Sequence, residues 1–354
     1  MSTLLSRQSP WYYINMYRWD ADYSLLVTQV LVPLEAEFSL GTRWTCYFET
    51  DWYRGPHLTL ALRNDGASER QPEVVSSAVK RYMKKLPASR PTNPHDYLDL
   101  HRKLYRYEDR RGHIFPWVHD GSITIGDIRR RVEHVGEGAA SVIDQFYADM
   151  FVSELAILPA VNLKSHSLDQ YSLDVLLQCA LRFSNSGLSA TAPSFMSHSQ
   201  GYLAVQPNTT LAERWERNFS SFKDQLINYV DQVSRNNDPV PGTGDTPAVV
   251  LLLQEYFSHG SYFESFRPTG NWATEISQVS AFHEALTGNE TWVEAVSDDD
   301  WFARYRMVLN LVYLHLAKMG LSPHRRFYLC YLLSRAVEEL NGTDTLSYLE
   351  GVTE

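Results

Sequence analysis

A chain of 354 residues, 44% of them hydrophobic, is long enough to bury a substantial core as one large or two ordinary domains. Its formal net charge of −10 argues against nucleic acid as a partner, which would want a basic surface. Cys46, Cys179 and Cys330 stand far apart in apolar settings, which argues against a disulfide scaffold and for a reducing, cytoplasmic compartment.

The opening MSTLLSRQSPWYY has no signal-peptide layout, and no apolar run reaches bilayer length, so no membrane role is expected. WYYINMYRW (11–19) is aromatic and β-prone and reads as a strand. Residues 23–38 have helical spacing that Pro33 interrupts. WTCYFETDW (44–52) and HLTLALR (57–63) read as a hairpin closed by Gly55-Pro56. Residues 64–72 are polar and read as a loop, 73–86 as a helix, 88–96 as a connector, and 113–128 as short strands and turns. Helices are expected over 136–158, 169–183, 211–234 and 247–258, with a loop at 235–247. DWFARYRMVLNLVYLHLAKM (300–319) is apolar nearly all round in its middle, with aspartates at its start and Gly320 past its end, so it predicts a buried helix. An amphipathic helix over 324–340 packs on it. The class is α+β, with antiparallel sheet elements in the N-terminal part and a largely helical C-terminal part. The whole chain reads as one unit with a sub-boundary near residue 135.

Several chemistries lack their signatures. There is no P-loop, no H-E-x-x-H, no paired C-x-x-C and no G-x-S-x-G. Gly136-Glu137-Gly138 starts a dinucleotide pattern that ends in Ser141. No metal or cofactor is therefore expected.

The segment SFMSHSQGYLA (194–204) is different. Pro193 fits the first turn of a helix. On that helix Ser194, His198 and Tyr202 are spaced i, i+4, i+8, with Ser197 beside them. Imidazole, phenol and hydroxyl make an acid–base set. A helix start with satisfied polar groups is the plain alternative. His315, inside LVYLHLAKM, is the second candidate, because a buried histidine must be paired. Its plain alternative is a core histidine bonded to a carbonyl. Tyr313 and His315 point to different faces, and Tyr305 and Arg306 read as structural. The basic groups Lys80, Arg81, Lys84, Lys85 and Arg129–Arg131 read as solvated faces or as sites for an acidic peptide.

WYYINMYRWDADYSLLVTQVLVPL, WTCYFETDWYRGPHLTLALR, SFMSHSQGYLA and LVYLHLAKMGLSPHRRFYLCYLL together resemble, in order, the elimination domain of lantibiotic dehydratases. More narrowly, they resemble its stand-alone relatives, the pyridine synthases of thiopeptide biosynthesis. The resemblance implies a ribosomally made precursor peptide as partner, with a leader and a core bearing azoles and dehydroalanines. It implies a formal [4+2] aza-cycloaddition of two dehydroalanines, one amide reacting as its imidic acid, with loss of water and leader and no cofactor. It places Ser197, His198, Tyr202 and His315 in catalysis. Candidates for holding the substrate are Tyr313 and Arg63, with the basic cluster of Lys80 and Lys84, or that of Arg102–Arg111, for an acidic leader. Where the lyase strand reads H-x-R-x-R, gripping a glutamyl group, this chain has His57, Thr59 and Ala61. A shift of two residues would bring in Arg63 instead. A glutamate-eliminating lyase and a non-catalytic peptide escort are the alternatives.

Overall fold

Tyr12–Tyr17, Thr45–Asp51, His57–Arg63 and Ile123–Ile125 form strands β1 to β4 of one antiparallel sheet in the order β2-β3-β1-β4. The computed structural model describes residues 11–63, 72–108, 110–126, 132–162, 165–184, 187–206, 210–236, 246–260 and 262–351. The Arg129–Arg131 cluster lies outside them, as do nearly all of the expected loops 64–72 and 235–247. The chain divides into two compact units: residues 1–135 with 140–163, and residues 136–139 with 164–354.

The first unit is built on the sheet. β3 is buried from His57 to Leu62, on both faces, although its sequence alternates. Of its two buried polar residues, His57 meets the Gly55 carbonyl at 2.9 Å through Nδ1, and Thr59 is satisfied across the strands. Thr59 donates to Asn15 Oδ1 at 2.7 Å, and Asn15 donates to Thr124 Oγ1 at 3.2 Å. The register makes this ladder, because Asn15 sits opposite both Thr59 and Thr124. The helix Val132–Asn162 breaks its helical geometry at Gly136 (φ 78°) and then packs on the sheet. Phe48 meets Phe151 at 6.3 Å, and Tyr47 meets Tyr147 at 5.6 Å. The interruption expected at Pro33 takes a definite form. A π turn, Val27–Leu31, links the helices Tyr23–Leu26 and Val32–Phe38. Proline has no N–H for the carbonyl four residues back, so the ladder widens there. The helix Leu98–Tyr107 was not expected from the sequence.

The second unit is helical throughout its described residues. Ala192–Ala204 packs against Pro323–Asn341, and Asp300–Lys318 packs against Ala248–Ser258 and Ser165–Phe183. The signals at 300–319 act as expected. Asp299 accepts from the Trp301 N–H at 2.7 Å, and Gly320 takes φ 99° past the end. Asp299→Ala is expected to cost about 1 kcal/mol, read from the midpoint of urea unfolding. The described residues of 259–299, unassigned from the sequence, hold a 3-10 turn, Phe263–Phe266, and three short α-helices, Trp272–Ser277, Ala281–Gly288 and Glu290–Asp298. Among the described residues no helix is long and apolar enough to cross a membrane.

Candidate active site

Pro193 lies in the first turn of Ala192–Ala204, as its spacing predicts. Phe195, Met196 and Ser199 are buried and fix the helix in the core. Ser194, Ser197 and His198, spaced i, i+3, i+4, are half-buried on another side, where they line a cavity of about 180 Å³. The facing wall comes from Asp300–Lys318. Phe302, Tyr305, Arg306, Leu309, Asn310 and Tyr313 repeat at helical spacing along it. Trp272, Ile276, Trp292 and Val296, from two of the short helices, close the third side.

The polar groups are held by specific partners. Ser197 Oγ lies 2.9 Å from His283 Nε2, and Ser280 Oγ lies 2.7 Å from His283 Nδ1. The His198 ring meets the Tyr313 ring edge-on, with centroids 4.9 Å apart. The Tyr313 hydroxyl sits 3.5 Å from Cys330 Sγ. Burial, then the neighbouring Cys330, holds the Tyr313 phenol well above its ordinary pKa, so it stays protonated.

Burial also pushes the His198 pKa down, to about 4, and the charges of Arg326, Arg306 and His283 add to the effect. The imidazole is neutral at pH 7. Arg326 lies over the Tyr313 and Phe327 rings, 4.6 Å from each centroid, and its buried Nε has no hydrogen-bond partner. Arg306 stands among the cavity's side chains, where desolvation lowers its pKa, although the residue as a whole is exposed. Neither arginine pairs with a carboxylate among the described residues. A neutral base, a protonated phenol and unpaired guanidinium charge suit a substrate oxygen that gains negative charge. Arg306→Met is expected to raise the His198 pKa, since it removes a positive neighbour, and an NMR titration of the ring reads the shift.

The other candidates sit elsewhere. Tyr202 is one turn beyond His198, stacked on Phe327 at 4.8 Å and Trp215 at 6.0 Å, with its hydroxyl 3.2 Å from His324 Nδ1. His315 is fully buried, and its Nε2 bonds the Tyr171 hydroxyl at 2.8 Å. Neither residue is among those lining the cavity. Arg63, Lys80 and Lys84 belong to the first unit. Arg63 stacks over Trp11 at 4.7 Å, and Lys80 and Lys84 are exposed. Tyr305 and Arg306, read as structural from the sequence, line the cavity instead. His283, Trp272 and Trp292 were missed. Their elements are only six to nine residues long, too short for a clear period. The one local sign was Ser280, which caps the helix bearing His283.

A family model described as the C-terminal part of lantibiotic biosynthesis dehydratases matches residues 11–337. The chain belongs to this family. The pyridine synthase TbtD from thiomuracin biosynthesis superposes with a TM-score of 0.71 at 24% identity, over 94% of this chain and 99% of that one. TsrL superposes at 0.66 and 16% identity, over 96% and 97%. Both share the fold: a small N-terminal antiparallel sheet followed by helices. No curated protein matches the chain significantly.

Proposed function

We propose that this family member is a pyridine synthase. It would join two dehydroalanines of a ribosomally made, azole-bearing precursor peptide by a formal [4+2] aza-cycloaddition, then lose water and the leader peptide. The observation that carries this reading is the cavity, whose aromatic walls surround Ser197, His198 and Arg306. An apolar cavity of roughly 150 Å³ admits a benzene-sized ring. At about 180 Å³ the site suits one forming six-membered ring, with the rest of the peptide outside. Walls of Trp and Tyr favour flat, half-polar groups such as azoles.

In this reading the enzyme holds two distant parts of one peptide together and manages its protons. His198 shuttles the proton for amide tautomerisation and for water loss. Its depressed pKa keeps it free to accept, and makes it release a captured proton readily. Ser197 positions the amide oxygen, and Arg306 and Tyr313 face the charge that develops there. Tyr202 and His315 act from behind the wall, Tyr202 through Phe327 and His315 through the buried Asp300–Lys318 helix. Lys80 and Lys84 offer charge to an acidic leader.

The glutamate-eliminating alternative is disfavoured by Thr59 and Ala61. Both are fully buried, and Thr59 is bonded to Asn15, where a glutamyl carboxylate would need arginine. The test is mass spectrometry of the purified protein with a precursor peptide whose leader is followed by a core carrying azoles and two dehydroalanines. A macrocycle lighter by leader amide and water, with pyridine absorbance, is the expected product. A bound but unchanged peptide would make the protein an escort, and loss of glutamate from a glutamylated peptide would make it the lyase.

A further inference from the structure

His283 bridges two hydroxyls. Its Nε2 meets Ser197 Oγ at 2.9 Å inside the cavity wall, and its Nδ1 meets Ser280 Oγ at 2.7 Å. His283 is 3% exposed, Ser197 lines the cavity, and Ser280 is half-buried. Ser280 Oγ also accepts from the His283 backbone N–H at 3.4 Å, which fixes the hydroxyl at the helix start. A hydroxyl has one donor and two acceptor sites, and a neutral imidazole has one of each. The chain can therefore be hydrogen-bonded in either direction, with the imidazole in either tautomer.

We infer that Ser197, His283 and Ser280 form a proton relay that connects the cavity wall to the outside. Running outward, Ser197 Oγ takes a proton from the substrate as its own proton passes to His283 Nε2. The Nδ1 proton passes to Ser280 Oγ, and the Ser280 proton leaves to water. Running inward, each transfer reverses and Ser197 delivers a proton to the substrate. No link keeps a net charge; the imidazole changes tautomer and the hydroxyls turn. Tautomerisation and dehydration both need a proton to arrive at one atom while another leaves elsewhere. His198 serves one end of that exchange and the relay serves the other. His283 touches no substrate and is a positioning and relay residue acting through Ser197. The inference rests on the proposed reading of Ser197 as a hydroxyl turned towards the peptide.

The relay is tested on the full chain with the same dehydrated peptide. His283→Gly is expected to slow ring formation by roughly 10²-fold, and added imidazole to restore part of the rate by filling the vacated space. A folded His283→Gly protein that cyclises like its parent, or that imidazole leaves unchanged, would overturn the relay. Ser280→Ala keeps the Ser197–His283 bond and removes the outer end. The parent rate is expected to bow with the deuterium fraction of the solvent, and Ser280→Ala to make that dependence straight; a straight line in the parent rejects the relay. If the parent forms no ring, the proposed reaction fails, and ¹⁵N-histidine NMR decides the relay alone. Averaged signals from two exchanging His283 tautomers, frozen to one by Ser280→Ala, support it. One fixed tautomer in both proteins sinks it.

Discussion

Replacing His198 by alanine is expected to slow ring formation by roughly 10²–10⁴-fold while leaving peptide binding nearly unchanged. The imidazole is the one titratable group on the cavity wall formed by Ala192–Ala204 that is neutral at pH 7 yet able to accept a proton. Ser194 and Ser197 beside it are hydroxyls with no basicity of their own at that pH. Its loss removes an interaction used in the transition state more than in the ground state, so kcat should fall and KM should hold. Phe195 and Met196 anchor the helix in the core, so the His198→Ala protein is expected to fold. Single-turnover kinetics with the dehydrated peptide, alongside a circular dichroism melt, reads both effects. Full turnover by a folded His198→Ala protein would remove His198 from the mechanism.

The part of this site that lies on one helix was legible before the structure. Ser194, Ser197 and His198 share a side because three and four residues nearly complete a turn. The same arithmetic explains Tyr202. Eight residues advance about 80° past two full turns, which carries Tyr202 away from Ser194 and onto Trp215 and Phe327. Two residues advance about 200°, so Tyr313 looks into the cavity while His315 meets Tyr171 on the far side of its helix. The Ser197–His283 bond spans 86 positions, and no local period encodes such a meeting. In the sheet, the strands and hairpin turn of 44–63 were legible from β-propensity and Gly55-Pro56. Alternation in HLTLALR gave no sign that Thr59 would be fully buried. That burial depends on Asn15, 44 positions away, which supplies its partner.

Acidification from pH 7 towards pH 4 is expected to destabilise the protein by at most about 3 kcal/mol through His198 alone. Its pKa falls from the ordinary 6.5 to about 4 on folding, first through burial and then through Arg326, Arg306 and His283. Between those two values the unfolded chain binds the proton and the folded chain does not, so stability falls as pH falls. Above pH 6.5 both states are neutral and the contribution is complete; near pH 4 it has been lost. His57, His101 and His283 have pKa values lowered by burial as well, so each pulls in the same direction. A domain with a net stability of roughly 5–15 kcal/mol would feel this strongly. Urea unfolding at steps between pH 7 and pH 4.5 should show the midpoint moving down, and His198→Ala should flatten the slope. A slope left unchanged by His198→Ala would mean that His198 titrates normally. The cavity would then hold an imidazolium in mild acid, and the neutral shuttle assigned to His198 would lose its electrostatic basis.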